Sequence, residues 1–471
     1  MELSIKKLSF ETFIYGFGNV FSRLITFLLL PLYTNLLNPK EYGIITLIYV
    51  FIGFMNVVYH YGLDSSFLKY FTDQKKENDK KKIFSTAFFL NFLSSIFFSI
   101  LIIIFSDKLS ILIFNNLIYQ NLFKISSYIL FFDSISHIPF ALLRIQKKAF
   151  IFISIKFLNV SLTLFFNIYF LIIKGSGIEG VFNSVLIASI ISTLFVIFSS
   201  INSFQIVLKY DYIKKLINFG LPFLPAGIAS ITMESIDRYI LSILTDTYTV
   251  GLYTAGYKLG IFMLIFSTAF NYAWQPFFLS TNKDAVAKKL FSKIFTFYMS
   301  LAFMIWVFIS LFIKDIIGIQ LFDYSILGPE YNQSINIVPI ILLSYIFQGA
   351  YYNFLPGIYF QEKTKIIPII VSISAFINIF INILLIPIYG MIGSAIATLA
   401  GHFIMAILTY YKSKKLFYIK YEWIKLFILF FITATLIIIS QIFIIPIFIK
   451  IFICFLLIIL LFQIKIFSFN S

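Results

Sequence analysis

Residues 84–105 read FSTAFFLNFLSSIFFSILIIIF, a run without a single charged side chain. A helix needs about 20 apolar residues to cross a hydrocarbon core of ~30 Å, so this stretch is long enough to span a membrane. Similar runs recur along the whole chain, and the polar connections between them are too short to build a globular domain. Because helices satisfy their own backbone polar groups in lipid, the sequence predicts an all-α polytopic membrane protein.

The overall composition points the same way. Hydrophobic residues make up 60% of the 471 residues, charged residues make up 12%, and the mean hydropathy is +0.97. The single cysteine, Cys454, excludes an intrachain disulfide and argues against a thiolate metal site. The first residues, MELSIKKLSF, lead into an apolar helix without a small-residue cleavage site, so we expect an uncleaved N-terminus.

Hydropathy, with proline and glycine as breakers, divides the chain into fourteen predicted transmembrane helices. Their approximate limits are 10–34, 42–67, 84–105, 121–143, 151–173, 180–200, 217–241, 249–274, 294–313, 334–359, 366–387, 391–411, 425–441 and 445–464.

The basic residues test this segmentation independently. With the N-terminus inside, 26 of the 36 Lys and Arg residues are cytoplasmic and six lie outside. This ratio follows the positive-inside rule and predicts that both termini are cytoplasmic. The net charge of +16 is then explained by topology and anionic lipid, and we expect no nucleic-acid partner.

Short motifs recur in the same order in the two halves of the chain, at nearly constant offsets. The matching pairs are Leu36–Gly43 with Leu244–Gly251, Gly177-x-x-Gly180 with Gly390-x-x-Gly393, and Gln146 with Gln361. They predict two six-helix bundles, residues 1–205 and 206–415, followed by two more helices in 416–471. An even number of spans per copy implies a pseudo-twofold axis along the membrane normal and a central cavity. The alternative is chance self-similarity of Ile/Phe-rich sequence.

Four basic residues lie inside apolar spans, where a cation costs about 2.5 kcal/mol or more unless it faces water or a partner. Arginine holds phosphate oxygens bidentately and lysine supplies a point charge, which suits an anionic, phosphate-bearing substrate. Nearby acids balance the charge, so a zwitterionic substrate stays open. The predicted substrate-binding residues are Arg23, Lys258, Arg238, Asn19, Lys156 and Asn271.

Acidic and histidine side chains form further stripes at helical spacing. Carboxyl groups inside a membrane are candidates for carrying coupling protons, and histidine titrates near physiological pH. Asp64 is close enough to the cytoplasmic end of its span to be interfacial instead. The predicted coupling residues are Glu234, Asp133, Asp237, Asp64, His60 and His137, and no metal site or other cofactor is predicted.

Several of these residues have a structural alternative. Glu234 and Arg238 are spaced four residues apart and can form a salt bridge within their helix. His60 and His137 can be neutral residues hydrogen-bonded between helices, and Lys156 can extend its amine to the cytoplasmic interface.

Three segments resemble the polysaccharide transporter family. They are GFGNVFSRLITFLLLPLYTNLLNPKEYG near the N-terminus, FGLPFLPAGIASITMESIDRYILSILTDTYTVGLYTAGYKLG in mid-chain, and IPIYGMIGSAIAT later. This family includes flippases for lipid-linked oligosaccharides such as O-antigen units, and it is related to MATE exporters and lipid II flippases. Arg23, Asp237, Arg238 and Lys258 fall on matching positions.

The resemblance implies a flippase that moves a polyprenyl-pyrophosphate-linked oligosaccharide from the cytoplasmic to the outer leaflet for cell-surface polysaccharide synthesis. It further implies the cytoplasmic membrane of a bacterium, with the glycan polymerase and glycosyltransferases of the same pathway as partners beside membrane lipid. Proton coupling, sodium coupling and passive flow driven by synthesis all stay open. A MATE-like exporter of small amphipathic compounds is the alternative, and the lack of a large extramembrane loop argues against an enzyme.

Overall fold

The computed structural model describes residues 27–281, 284–321 and 324–463. These residues form helices almost throughout, joined by short connections. The first unit contains α1 (Phe27–Leu36), α2 (Pro39–His60), α3 (Leu63–Thr72), α4 (Glu77–Ile104), α5 (Ser106–Phe114), α6 (Gln120–Ile145), α7 (Ala149–Ile168, prolonged by a π turn, Tyr169–Ile173), α8 (Gly177–Ser199), α9 (Tyr210–Gly220) and the start of α10 (Leu224–Leu244). The second contains α11 (Thr247–Leu259), α12 (Ile261–Ser280), α13 (Ala285–Ile317), α14 (Val338–Phe354), α15 (Pro356–Phe360), α16 (Ile366–Tyr389), α17 (Met391–Leu416), α18 (Trp423–Ile442) and α19 (Ile447–Gln463).

Length and composition qualify most of these helices as membrane spans. In the described ranges, eleven helical stretches pass as spans, or twelve if the bent pair α11 and α12, at 47° to each other, counts as one. The shorter apolar helices α1 and α19 lie in the first and last predicted spans. Large apolar side chains such as Phe150 and Phe448 are more than four-fifths exposed, as expected for surfaces that face lipid. The predicted class, an all-α polytopic membrane protein, is confirmed.

The chain divides into two compact units. The first contains the described residues up to Tyr239, and the second contains those from Ile240 onward. In the first unit α6 packs against α2, α4 and α8, and α7 packs against α8. In the second, α17 packs against α14 and α16, and α13 packs against α18. The predicted boundaries after residues 205 and 415 stay predictions.

Loops that the segmentation assigns to one membrane face also meet within each unit. Asn121, at the outer end of the predicted span 121–143, donates a hydrogen bond at 2.9 Å to Glu179, which lies in a connection predicted outside. In the second unit Lys450 forms an ion pair with Asp315, and both were likewise assigned outside. These contacts agree with the predicted alternation of spans.

Local geometry recurs at the motifs that suggested an internal repeat. Asn38 caps α2 by accepting a hydrogen bond from the Glu41 amide at 3.0 Å, and Asp246, at the matching position, caps α11. Gly177 and Gly390 both have a φ of +54°, in the left-handed region where a side chain is costly. A positive φ also occurs at Lys147 and Glu362, directly after the paired glutamines.

Two spans of the first unit are interrupted at the same place. The second predicted span is broken into α2 and α3 at Tyr61 and Gly62, whose φ angles are 31° and 72°. The seventh is broken by a 3₁₀ turn, Leu221–Phe223, directly after Gly220. A Cβ atom on Gly62 would lie 2.3 Å from the Gly220 carbonyl oxygen, so the absence of side chains lets the two breaks touch.

The connection after α13 contains a short β-hairpin and a 3₁₀ helix. Gln320–Leu321 (β1) and Tyr324–Ser325 (β2) pair antiparallel, with Gln320 opposite Ser325. The segment Pro329–Ile337 that follows forms a 3₁₀ helix packed on α11. Here a Cβ atom on Gly256 would meet the Ser334 carbonyl oxygen at 2.3 Å, which makes glycine the residue that this close approach requires.

Candidate functional site

The first unit brings two of the predicted coupling residues into direct contact. His60 lies in the last turn of α2, and His137 lies in the C-terminal half of α6. Their imidazole rings stack with centroids 3.5 Å apart and planes 27° from parallel. The buried Nε2 atom of His60 has no hydrogen-bond partner among the described residues. The expected hydrogen bond of a neutral histidine to another helix is therefore not how this nitrogen is held.

Charged groups surround this stacked pair. Asp133 lies one turn before His137 on α6, and its Oδ1 accepts a 2.7 Å hydrogen bond from Ser189 of α8. Lys156 of α7 interacts electrostatically with both histidines and with Asp133. We call the set His60, His137, Asp133, Lys156 and Asp64 the histidine cluster, because Asp64, in the first turn of α3, interacts with His60.

Lys156 itself is exposed at the surface of α7. Its Nζ lies 4.4 Å from the centroid of the buried Phe140 ring, within the range of a cation–π interaction. The aromatic face offers the ammonium group an attractive contact on α6 while leaving the group accessible. Its predicted role in binding substrate stays a prediction.

A second charged group lies on α10 and is buried. Arg238 and Asp237 are only 9% and 3% exposed, and the Arg238 guanidinium donates to the Asp237 carboxylate at 2.9 Å. The same Nη1 atom donates to the backbone carbonyl of Glu234 at 2.5 Å. The salt bridge thus uses the neighbouring Asp237, and the exposed Glu234 contributes its carbonyl rather than its carboxylate.

The remaining predicted residues lie on other helices or outside the described residues. Lys258 lies half-buried in the last turn of α11, two residues before Gly260, where the chain bends into α12. Asn271 lies on α12 with a buried Oδ1 that has no described hydrogen-bond partner. Asn19 and Arg23 lie outside the described residues.

Sequence reasoning missed two polar pairs in the second unit. His402 of α17 is buried, and its Nδ1 shares a 2.6 Å hydrogen bond with the Ser344 hydroxyl of α14. Lys450 of α19 lies 2.5 Å from Asp315 at the end of α13. The count of basic residues placed Lys450 outside, although it falls within the predicted span 445–464, and the structure places it in α19. Its place within an apolar run was the available signal.

The described groups can pair with charges, and their imidazole and carboxyl groups can bind protons. In the part of the chain that the structure describes, no group of three or more His, Cys, Asp or Glu side chains could hold a metal ion. The histidine cluster instead combines two titratable rings, a cation and two carboxylates near the break between α2 and α3.

Several solved structures share this fold. The chain is similar to the lipid II flippase MurJ in an inward closed conformation, with a TM-score of 0.78, 16% identity, and coverage of 95% of this chain and 98% of that chain. It is also similar to a multidrug resistance MATE family transporter of the MOP superfamily in an inward-facing conformation. The TM-score is 0.62 and the identity is 13%, with coverage of 86% of this chain and 95% of that chain. For a mutant of the Vibrio cholerae MATE transporter VcmN the TM-score is 0.60 and the identity is 11%, with coverage of 87% of this chain and 95% of that chain.

Sequence comparison gives the family. No curated protein sequence matches the chain significantly. The family model described as "Polysaccharide biosynthesis protein" matches residues 32–336, which is more than half of the chain and confirms the resemblance noted in its motifs. The protein therefore belongs to the polysaccharide biosynthesis protein family and has the fold of the MurJ and MATE transporters.

Proposed function

We propose that this protein is a flippase that moves a polyprenyl-pyrophosphate-linked oligosaccharide from the cytoplasmic to the outer leaflet for cell-surface polysaccharide synthesis. The observation that carries the proposal is the family match over residues 32–336 on a fold shared with a lipid II flippase. The description of the family connects it with polysaccharide biosynthesis, and the similar structure is that of a lipid II flippase.

Basic side chains inside membrane helices give the proposal its chemistry. A pyrophosphate carries negative charge that is costly to move through hydrocarbon, and arginine and lysine can replace its water shell. Arg23 and Lys258 are the groups that we assign to the pyrophosphate, with Lys156 and Asn271 as further contacts. Arg238 forms a salt bridge with Asp237, so we assign Arg238 mainly to neutralising the buried Asp237 carboxylate.

Alternating access is the proposed mechanism, with a cationic cavity open to one side at a time. Left-handed residues at Tyr61 and Gly62 interrupt the second span, and a bend of 47° at Gly260 interrupts the eighth. We place both termini in the cytoplasm of a bacterium, and the glycan polymerase and glycosyltransferases of the pathway beside the protein. Either protons or sodium would supply the energy.

Reconstituted flipping tests this proposal. The purified protein is placed in liposomes with a fluorescent lipid-linked oligosaccharide, and its transfer is followed with a membrane-impermeant quencher. Arg23→Ala and Lys258→Ala should each slow transfer about tenfold or more, because a hydrogen bond between charged groups contributes about 1.5–3 kcal/mol. Lys450→Ala is the matched control, since this membrane-helix cation already pairs with Asp315. Transfer equal to that of protein-free liposomes would exclude the flippase.

Export of small amphipathic compounds is the second candidate, favoured by the likeness to the MATE transporters. The same liposomes loaded with a cationic dye separate the two. Dye efflux without transfer of the lipid-linked oligosaccharide would identify an exporter.

A further inference from the structure

Two helical stretches of the first unit are longer than the hydrocarbon core is thick. The stretch Tyr210–Leu244 contains 35 residues, which extend ~50 Å as a helix, against a core of ~30 Å. Lys214 and Lys215 lie in its first two turns, and charge in hydrocarbon is costly, so α9 is the part that extends beyond the core. The stretch Pro39–Thr72 has 34 residues, and its end, α3, packs against α9. The ends of both stretches therefore project together at the predicted cytoplasmic side.

A groove of about 230 Å³ lies between these two ends and the start of α4. Its lining residues are Tyr70, Gln74, Ile83, Tyr212, Lys215 and Leu216. The four polar side chains can all donate hydrogen bonds, that of Lys215 is cationic, and none is a carboxylate. The Nζ atom of Lys69 lies 5.4 Å from the centroid of the Tyr70 ring and 4.1 Å from that of the Phe219 ring, which adds a second cation beside the groove. Donors and cations without a carboxylate suit an anionic, phosphate-bearing group.

The region around the groove carries an excess of positive charge. Residues 69–82 and 209–215 together contain nine basic and four acidic residues. Two of the acids are already paired within α4, in salt bridges to Lys80 and Lys82. Among the described residues Lys214 and Lys215 form no ion pair, although Asp211 lies on the same exposed face of α9. Their charges are thus available to an external anion.

The segment that leads into α9 exposes large apolar side chains. Ile206, Leu208 and Tyr210 are 98%, 51% and 76% exposed, although they lie in a connection between predicted spans. Exposing this much apolar surface to water is unfavourable. Apolar side chains beside lysines are typical of segments that lie at a membrane surface, where the apolar groups enter the lipid and the lysines stay among the headgroups.

Hydrogen bonds hold this segment next to the groove. The Gln205 amide donates to Ser85 Oγ at 2.7 Å, and the Lys209 amide donates to Thr86 Oγ1 at 3.4 Å. Thr86 lies three residues after Ile83 on α4, and residues at this spacing are neighbours on a helix. Because Ile83 lines the groove, the exposed apolar segment and the groove are parts of one surface.

We propose that this surface binds an anionic phospholipid of the cytoplasmic leaflet. Lys215 and Lys69 bind the headgroup phosphate, and the apolar side chains of segment 206–210 enter the boundary between headgroups and acyl chains. The site goes beyond the proposed transport function and does not rest on it. It would hold the connection before α10, the helix in which the chain passes from the first unit to the second, at the membrane surface.

Native mass spectrometry of the full-length protein tests the headgroup site. With phosphatidylglycerol and phosphatidylcholine offered at equal concentration, wild type should retain the anionic lipid preferentially. Lys69→Gln combined with Lys215→Gln should weaken its binding about 25-fold, because each lysine near an anionic surface contributes a factor of about five.

Lys108→Gln combined with Lys174→Gln is the matched control. These lysines are also exposed and lie beside aromatic rings, but at the predicted outer side. Equal retention of the two lipids by wild type, or an equal loss in the two double variants, would overturn the proposal. Inorganic phosphate at millimolar concentration should leave the lipid bound, and displacement would identify a site for free anions instead.

Fluorescence quenching tests the insertion of the segment. Ile206→Cys, with Cys454→Ser, carries an environment-sensitive fluorophore in nanodiscs that contain phosphatidylglycerol spin-labelled near the headgroup. Its fluorescence should be quenched well beyond that of the same fluorophore at Lys75→Cys, an exposed position in the connection between α3 and α4. Quenching at position 206 no greater than at position 75 would show that the segment faces water or a soluble partner, against the proposal.

Discussion

Replacing Gly62 by alanine probes the contact between the two broken spans. Any residue other than glycine pays about 1–2 kcal/mol to hold a left-handed conformation, and Gly62 has a φ of 72°. The new Cβ would also lie 2.3 Å from the Gly220 carbonyl oxygen and 2.9 Å from the Cβ of Phe223. Ordinary contact begins at 3.4 Å, so the two backbones must separate by about 1 Å. Overpacking of this kind costs about 1–3 kcal/mol.

Gly175→Ala is the matched control for this substitution. Gly175 has a φ of 60°, and a Cβ there meets nothing within 4 Å, so the variant pays only the conformational cost. Equilibrium unfolding in mixed detergent micelles should give losses of about 2–5 kcal/mol for Gly62→Ala and about 1–2 kcal/mol for Gly175→Ala. Equal losses would show that the contact between Gly62 and Gly220 carries no free energy and would refute the reasoning.

Three further predictions concern the buried charges and the topology. Arg238→Ala removes the guanidinium 2.9 Å from the buried Asp237 carboxylate and should cost about 3–5 kcal/mol in the same unfolding measurement; adding Asp237→Asn should recover part of the loss, and a further loss would contradict the pairing. Ser189→Ala removes the 2.7 Å hydrogen bond to Asp133 and should lower the free energy of unfolding by about 1–3 kcal/mol. An unchanged free energy of unfolding would show that this hydrogen bond does not stabilise the fold. Lys75→Cys, with Cys454 replaced by serine, should react with an impermeant maleimide only from the cytoplasmic side. Labelling of Lys75→Cys in intact cells would show that the predicted topology is inverted.

Helix ends and turns followed from short stretches of sequence because their causes are local. The capping contact of Asn38 with Glu41 closes within three residues, and Asp246 repeats it at the start of α11. Gly177 and Gly390 mark tight turns because only glycine enters the left-handed region without steric cost. No other part of the chain is needed to specify such geometry.

Contacts between helices were less accessible to sequence reasoning. Periodicity placed His60 and His137 each on a polar face of its own helix, but a face does not specify which helix lies opposite it. Their stacking depends on the packing of α2 against α6. Spacing offered Glu234, four residues away, as one partner of Arg238, whereas in the structure the flexible side chain of Arg238 folds back onto the adjacent Asp237.

By itself the sequence determined the membrane class and the approximate limits of most spans, because hydrophobic length and local breakers act within one segment at a time. The tertiary structure alone decided that two histidines share one contact and that the breaks at Gly62 and Gly220 meet. Both contacts join segments far apart in the chain, and close packing selects them only once the helices of the unit are assembled.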